Sequence, residues 1–205
     1  MHLLQFIFNM PRVKQFDKDE ILAKAMNLFW QKGYHATSIG DLVEYTGVNR
    51  QSLYSTFTNK DELFNQAFER YRTIYLNKAC DFLSTKSSAK QGIKDFFLRA
   101  IDNSLSDPEH KGCFVLNTTT EMVPENPNLM RVIAEHQQTF EKILIEFMEK
   151  GIALGEFPEN IDLKSTAAFL ITLYNGLTVM SKFRTDKEYL TNILDTALKV
   201  LDHPA

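Results

Sequence analysis

The sequence has 205 residues, 44% of them hydrophobic, and a formal net charge of −3 at pH 7. Its length allows one or two compact domains, and its negative charge excludes a protein that coats nucleic acid over its whole surface. Its two cysteines lie far apart without a CxxC spacing, which excludes a disulfide scaffold and a zinc module, so we expect no metal.

Residues 1–16 are predicted to be a tail outside the folded domains. The opening MHLLQFIFN is apolar but lacks a basic flank and a small-residue cleavage site, so it is a poor signal peptide. No apolar run approaches the roughly 18–20 residues that a membrane span needs. We therefore expect a cytoplasmic protein without a membrane partner, and both Met1 and Met10 stay open as its translation start.

A first helix is predicted from Asp17, whose side chain can cap it, with Glu20 in the capping-box position. Apolar residues recur on one face of this helix until Gly33, which is expected to end it. Residues 37–60 then read TSIGDLVEYTGVNRQSLYSTFTNK, which has the pattern of two short helices hinged at Gly47. This pattern predicts a helix-turn-helix.

The two short helices have recognisable caps. Thr37 or Ser38 is expected to cap the first and Asn49 the second, because short polar side chains accept hydrogen bonds from unpaired N–H groups there. In the second helix, the four-residue spacing of Leu53 and Phe57 predicts a buried face. The side chains left toward solvent include Arg50, Gln51, Ser52 and Tyr54.

A long connector helix is predicted after Asn59, which can cap it with Glu62 in the capping-box position. The pattern breaks at KSSAK, near Ser87. We place the domain boundary along this connector, which gives a DNA-binding domain at 17–64 and a larger helical domain at 65–205.

Helical periodicity continues through the larger domain. GCFVLNTTTEM is assigned to a helix because its neighbours are helical, and a long helix is expected to end near Gly151. Asp162 is expected to cap the next helix. Thr185 with Glu188 forms a predicted capping box for the last helix.

Two other classes of protein fit the sequence less well. An enzyme is not supported, because there is no GxSxG, HExxH, P-loop or GxGxxG motif and the five histidines are scattered. We expect no catalytic residue and no cofactor. A helical adaptor would explain the amphipathic stripes but not the grouping of Arg50, Gln51, Tyr54 and Lys60.

The residues from Asp17 to Phe64 resemble the TetR/AcrR family of bacterial regulators, through FWQKGYHATSIGDL followed by TGVNRQSLYSTFTNKDEL. The resemblance implies an all-α protein with an N-terminal three-helix helix-turn-helix domain that binds DNA. It also implies a C-terminal helical domain that binds a small-molecule effector and forms a homodimer through the last two long helices. Apolar stripes at 163–180 and 190–201 suit that interface, with ordinary monomer core as the alternative.

The family pattern places Arg50, Gln51 and Ser52 at the positions that reach base edges. Arginine can bond two acceptors on guanine, and glutamine can bond both groups of adenine. The positions that hold phosphates are matched by Thr37, Tyr54 and Lys60. The full predicted DNA-binding set is Thr37, Ser38, Asn49, Arg50, Gln51, Ser52, Tyr54 and Lys60. The alternative is that Arg50 and Lys60 are solvated charges and Tyr54 is a packing residue.

Effector binding is expected in an apolar pocket with a few polar groups. The candidate ligand-binding residues are Phe96, Phe97, Phe114, Asn117, Glu121, His136, Phe140, Met148 and Tyr174. Each could instead be core, and His136 is expected to be a buried histidine whose hydrogen bonds are satisfied. Cys113 is expected to be a small buried thiol, with a lowered thiolate pKa at a helix start as the alternative.

These features predict a ligand-responsive repressor that binds a palindromic double-stranded DNA operator as a dimer. A small apolar or amphipathic molecule would shift the connector helix and release the DNA. Activation instead of repression stays open, as does a switch in which an electrophile or oxidant modifies Cys113. The effector, the operator sequence and the regulated genes do not follow from the sequence.

Overall fold

The computed structural model describes residues 17–201, without the side chain of Val200, and all its regular elements are helical. In chain order the α-helices are α1 (Lys18–Lys32), α2 (Ile39–Thr46), α3 (Arg50–Thr56), α4 (Lys60–Ser84), α5 (Ala89–Ser106), α6 (Phe114–Met122), α7 (Pro127–Ala153), α8 (Leu163–Met180) and α9 (Lys187–Ala197). Short 3₁₀ turns follow at Val123–Glu125 and Leu198–Leu201. The all-α prediction is confirmed, and no helix in this range is long and apolar enough to cross a membrane. The predicted tail at 1–16 and the choice between Met1 and Met10 lie outside the described residues.

Helix α1 begins and ends where the sequence predicts. Asp17 accepts a hydrogen bond from the N–H of Asp19 at 2.9 Å. Gly33 ends the helix at φ 83°, a conformation that glycine adopts without steric cost. Glu20 does not close the predicted capping box, and its carboxylate pairs with Lys24 Nζ at 2.8 Å instead.

The helix-turn-helix is fixed by two caps and one glycine. Ser38 and Asp41 form a capping box at the start of α2, so Ser38 rather than Thr37 is the cap. Gly47 adopts the left-handed conformation with φ 73°, which turns the chain between α2 and α3. Asn49 caps α3 through its side-chain oxygen. The predicted turn at Gly47 and cap at Asn49 are confirmed.

Helix α4 belongs to two apolar cores. We call α1 to α3 with the start of α4 the head, and Phe64 and Phe68 pack there with residues of α1 to α3 in the head core. We call the end of α4 with α5 to α9 the body, and Ala79 and Leu83 pack there with α5, α7, α8 and α9 in the body core. The predicted boundary at residues 64 and 65 therefore falls within a single continuous helix.

Helix α6 packs into the head core, although it follows α5 of the body. The ring of Phe114 lies 6.0 Å from that of Phe64, 5.4 Å from Phe68 and 5.4 Å from Tyr71, all in edge-to-face geometry. Such aromatic pairs are worth about 0.5–1.5 kcal/mol each beyond the area they bury. Buried aromatic contacts therefore join the body to the head.

The last two helices differ in detail from the prediction. Asp162 caps α8 as predicted, but α9 is capped by Asp186 instead of Thr185. The Asp186 carboxylate accepts the N–H of Tyr189 at 3.2 Å, so the helix starts one residue later. Leucines of the predicted interface stripe also lie in the body core of their own chain, namely Leu190, Leu194, Leu198 and Leu201.

Candidate DNA-binding surface and effector cavities

Helix α3 has one buried face and one face free for contacts. Leu53 is 2% exposed and Phe57, just after the helix, is 1% exposed. Arg50, Gln51 and Tyr54 are exposed, and none of these side chains has a hydrogen-bond or ion-pair partner in the described part of the chain. Between residues 45 and 59, Arg50 is the only charged side chain. The outer face of α3 therefore offers unoccupied hydrogen-bonding groups and no negative charge.

Three other predicted DNA contacts serve the local structure. Ser38 Oγ accepts the N–H of Asp41 at 3.1 Å and donates to its carboxylate at 2.7 Å, and Asn49 caps α3. Thr37 is fully buried, and its hydroxyl donates to the carbonyl of Gly33 at 2.6 Å. The prediction that Thr37 holds a phosphate is therefore corrected, because its hydroxyl stabilises the loop between α1 and α2 instead.

Lys60 and Ser52 are half-buried beside the exposed face of α3. Lys60 Nζ lies 4.1 Å from the centroid of the Tyr34 ring, and partial burial lowers the pKa of Lys60. The Tyr34 hydroxyl donates to Asp61. Burial and this contact raise the pKa of Tyr34 to about 12. A cation–π contact therefore holds Lys60 next to the helix-turn-helix.

A cavity of about 480 Å³ lies between α1 of the head and α4, α5 and α8 of the body. We call it the junction cavity. Its aromatic walls are Trp30, Tyr71, Tyr75 and Tyr174, and the polar side chains that line it include Asn27, Lys78, Asn103 and Ser104. Small-molecule pockets commonly have volumes of about 300–1,000 Å³. The junction cavity is in this range, and the head supplies part of its wall.

An inner cavity of about 120 Å³ is lined by His136 and Phe140, and shares Tyr75 and Tyr174 with the junction cavity. His136 Nδ1 and the Tyr75 hydroxyl are buried without a hydrogen-bond partner, so the prediction of a satisfied histidine is wrong. Burial, followed by the charge of Arg72, lowers the pKa of His136 to about 4. Burial and the Tyr174 hydroxyl raise the pKa of Tyr75, although the two hydroxyls do not meet hydrogen-bond geometry.

A side cavity of about 150 Å³ lies beside the junction cavity. Phe96 and Arg99 line it, together with Lys78 and Asn103, which also line the junction cavity. Phe97 lines only a space of about 10 Å³. The candidates that line cavities of useful size are therefore Phe96, His136, Phe140 and Tyr174.

Four candidate ligand-binding residues lie elsewhere and are corrected. Phe114 is in the head core, and Met148 is fully buried in the body core. Asn117 donates to a backbone carbonyl at 2.8 Å and accepts from Lys182 Nζ at 2.7 Å. The Glu121 carboxylate accepts two backbone N–H groups of the loop between α1 and α2. Contacts within the chain already occupy these four side chains, and none of them lines the three cavities.

Cys113 precedes α6 and lines both the junction and inner cavities as a buried thiol. Burial raises the pKa of Cys113, which is opposite in direction to the lowered pKa considered for a helix start. The Tyr71 hydroxyl lies 3.9 Å from its Sγ. The structure therefore agrees with a small buried thiol, because a thiolate would be poorly solvated here.

Sequence reasoning missed Trp30, Tyr71 and Tyr75 as cavity residues. Trp30 lies in α1, which the sequence assigns to the DNA-binding domain alone. The two tyrosines, four residues apart on α4, have the pattern of core residues. One signal was available: a buried tyrosine needs a partner for its hydroxyl, and a stripe of tyrosines suggests a polar space beside it.

A largely apolar surface is exposed along α8 and α9, and we call it the α8–α9 face. Phe169 is 40% exposed and Tyr189 is 38% exposed. With Leu173 and Ile193 they line an open groove of about 480 Å³. Phe183, just after α8, is 70% exposed. Large exposed apolar surfaces mark sites of protein association.

Known proteins match both parts of the chain. Residues 21–67 match the family model described as bacterial regulatory proteins, tetR family, and residues 89–197 match the tetracyclin repressor-like, C-terminal domain. The HTH-type transcriptional repressor ComR of Escherichia coli (strain K12) is 33% identical over 190 residues, which cover 92% of this chain and 90% of ComR. The uncharacterized HTH-type transcriptional regulator YezE of Bacillus subtilis (strain 168) is 32% identical over 195 residues, which cover 94% of this chain and 100% of YezE.

Solved structures agree with these matches. A cysteine mutant of the TetR family transcriptional regulator CifR, complexed with 26-bp double-strand operator DNA, has a TM-score of 0.82 at 28% identity. The alignment covers 93% of this chain and 99% of CifR. FadR from Bacillus subtilis in complex with stearoyl-CoA shares the fold, with a TM-score of 0.68 at 19% identity over 90% of this chain and 97% of FadR. The chain therefore belongs to the tetR family of bacterial regulatory proteins and is a DNA-binding transcription regulator, not an enzyme.

Proposed function

We propose that this protein is a cytoplasmic repressor that binds a palindromic operator as a homodimer and is released by a small molecule. The observation that carries this proposal is the exposed face of α3, where Arg50, Gln51 and Tyr54 have no partner in the described residues. The name of the relative ComR, a transcriptional repressor, supports it. The complex of CifR with operator DNA supports it as well.

Arg50 and Gln51 read bases in the major groove, because their side chains can each make two hydrogen bonds to one base. Tyr54 and Lys60 bind phosphates, which sets the position of α3 on the duplex without reading sequence. Ser52 is a third base contact, from the half-buried edge of the helix. Ser38 and Asn49 lie beside this surface, where they hold α2 and α3 in place through their caps.

The operator is palindromic because the dimer has two heads. One short recognition helix contacts few base pairs, so useful specificity needs two heads on half-sites one helical turn apart. The α8–α9 face is the proposed dimer interface. Phe169, Tyr189 and Ile193 lie on it, and a two-fold partner presenting the same residues would cover them.

The effector binds in the cavities around Tyr75 and Tyr174, and the contacts of α6 carry its effect to the head. Phe114 packs into the head core, and Glu121 bonds the loop between α1 and α2. A ligand that binds more tightly when α6 has moved shifts the heads away from the spacing that DNA requires. A switch at Cys113 is not favoured, since burial raises the pKa of its thiol.

A DNA titration tests this function. The purified protein is titrated against DNA from upstream of its own gene and against random DNA, at two salt concentrations. We expect tight binding to a palindrome, weakened by salt in proportion to the phosphates contacted. Equal binding to random DNA and to sequences selected from a random pool would overturn the proposal.

A further inference from the structure

The junction cavity brings a ligand into direct contact with the DNA-binding head. Met26, Asn27 and Trp30 of α1 form one of its walls, and the opposite walls belong to the body. Trp30 Nε1 donates to the Gly112 carbonyl at 2.9 Å, which fixes the orientation of the indole ring. A molecule in this cavity therefore touches α1 of the head directly, without an intervening element.

The shape of the walls favours a flat, aromatic ligand. Trp30 and Tyr71 meet edge to face at 5.0 Å between ring centroids, and Tyr71 and Tyr75 are stacked at 6.3 Å with an angle of 11° between the rings. Tyr174 closes the same cavity from α8. Aromatic rings attract other rings in stacked or edge-to-face geometry, beyond the apolar area that they bury.

The charges around the cavity favour an anion. Asp107 and Lys111 line it as an ion pair at 3.2 Å, and Lys111 also pairs with Glu109, which does not line the cavity, so Lys111 is already neutralised. Lys78 is different, because it has no carboxylate partner in the described residues. It also lines the side cavity with Arg99, another cation without a carboxylate partner in that range, and no acidic residue lines that cavity.

Hydrogen-bonding groups lie next to these cations. Asn103 lines both the junction and side cavities, as Lys78 does, and Ser104 lines the junction cavity. Neither side chain has a hydrogen-bond partner among residues 17–201. An ammonium, an amide and a hydroxyl around one apolar space can together bind a carboxylate, which accepts up to four hydrogen bonds.

We propose that the junction cavity binds a small aromatic acid as its anion, with the ring against Trp30 and the carboxylate toward Lys78 and Asn103. The role of this ligand as the effector rests on the proposed function, but its binding to the cavity does not. The binding itself is a property of the free protein, so it is measured without DNA.

Three flat probes of similar shape test the charge preference: para-methylbenzoate, para-methylbenzyl alcohol and para-methylbenzylamine. Binding to the full chain is followed by calorimetry and by the fluorescence of Trp30, the only tryptophan of the sequence. We expect the carboxylate to bind about tenfold more tightly than the ammonium and to change the Trp30 emission. Comparable binding of the ammonium, binding that leaves the emission unchanged, or no binding of the carboxylate would each overturn the proposal.

Lys78→Gln tests the proposed contact. It should weaken carboxylate binding about fivefold, as expected for a partly solvated ion pair, and leave the alcohol unchanged. Lys164→Gln, an exposed lysine in the first turn of α8, is the matched control and should have no effect. An equal loss for carboxylate and alcohol in Lys78→Gln would overturn the contact. If the carboxylate binds as described but operator affinity does not change, the site stands and the effector role in the proposed function fails.

Discussion

The carboxylate of Glu121 accepts a hydrogen bond from the backbone N–H of His35 at 2.8 Å. It accepts a second from the N–H of Tyr34 at 3.1 Å. These bonds join α6 to the loop that leads into the helix-turn-helix. A Cβ atom at Gly33 would come within 2.8 Å of the same carboxylate. The close fit leaves little freedom for this loop while Glu121 stays in place.

Glu121→Gln should therefore destabilise the protein. An amide has one acceptor oxygen where the carboxylate has two, so one backbone N–H loses its partner. We expect the free energy of unfolding to fall by about 1 kcal/mol, because Glu121 is only half-buried and water can partly replace the lost bond. Urea unfolding measures this change. Glu125→Gln, in the exposed turn after α6, is the control, and equal stability of the two variants would contradict the role of Glu121.

Arg50→Ala should lower affinity for the specific operator by about 1–3 kcal/mol and affect random DNA much less, because the lost hydrogen bonds go to a base. Titration of both DNAs at one salt concentration measures the difference. Arg131→Ala, an exposed arginine on α7, should leave both affinities unchanged. Equal losses on the two DNAs would instead assign Arg50 to a phosphate.

Phe169→Asp should convert the proposed dimer into a monomer, because it would place two carboxylates without partners in the proposed apolar interface. Light scattering measures the mass, and a DNA titration should show that operator affinity falls with it. Met130→Asp removes another exposed apolar side chain, on α7, and should keep the dimer. A dimer that survives Phe169→Asp would locate the interface elsewhere.

His136 should make the protein less stable in mild acid. Its pKa is lowered from 6.5 to about 4 by burial and by Arg72, so between these values the unfolded chain binds the proton more readily than the folded protein. The stability that depends on a neutral His136 is fully present above about pH 6.5 and is lost as the pH falls toward 4. We expect a loss of about 2 kcal/mol from about pH 7.5 to about pH 5.

The comparison with His136→Gln isolates this effect from the carboxylates that titrate in the same range. The variant should lose less stability over the same pH interval, because glutamine does not titrate. Urea unfolding of both proteins at the two pH values measures the difference. Identical pH dependence in the two proteins would mean that His136 is protonated equally well in the folded and unfolded chains.

The helix-turn-helix could be predicted from sequence because its determinants are local. Asp17, Ser38 and Asn49 each bond an N–H group two or three residues away, and Gly47 determines the turn at its own position. Such contacts depend only on residue type and on short spacings in the sequence, so they can be predicted without the tertiary structure. The exposed face of α3 followed from the same periodicity.

The cavities could not be predicted, because their residues come from distant parts of the chain. His35 and Glu121 are 86 residues apart, and Trp30 bonds to Gly112 across 82 residues. Apolar periodicity predicts that a residue is covered but not what covers it. For this reason the sequence could not tell whether Phe114 and Met148 line a cavity or belong to the core, and the structure places both in the core.

The position of Phe114 affects how the whole molecule unfolds. A fragment that stops at the end of α4 would keep Phe64 and Phe68 but lose the ring that packs against both. The three-helix head thus completes its core only when the chain up to α6 has folded, and α4 ties the same event to the body. We therefore expect the head and the body to unfold as one cooperative unit, in a single thermal transition, and not to survive as separate domains after proteolysis.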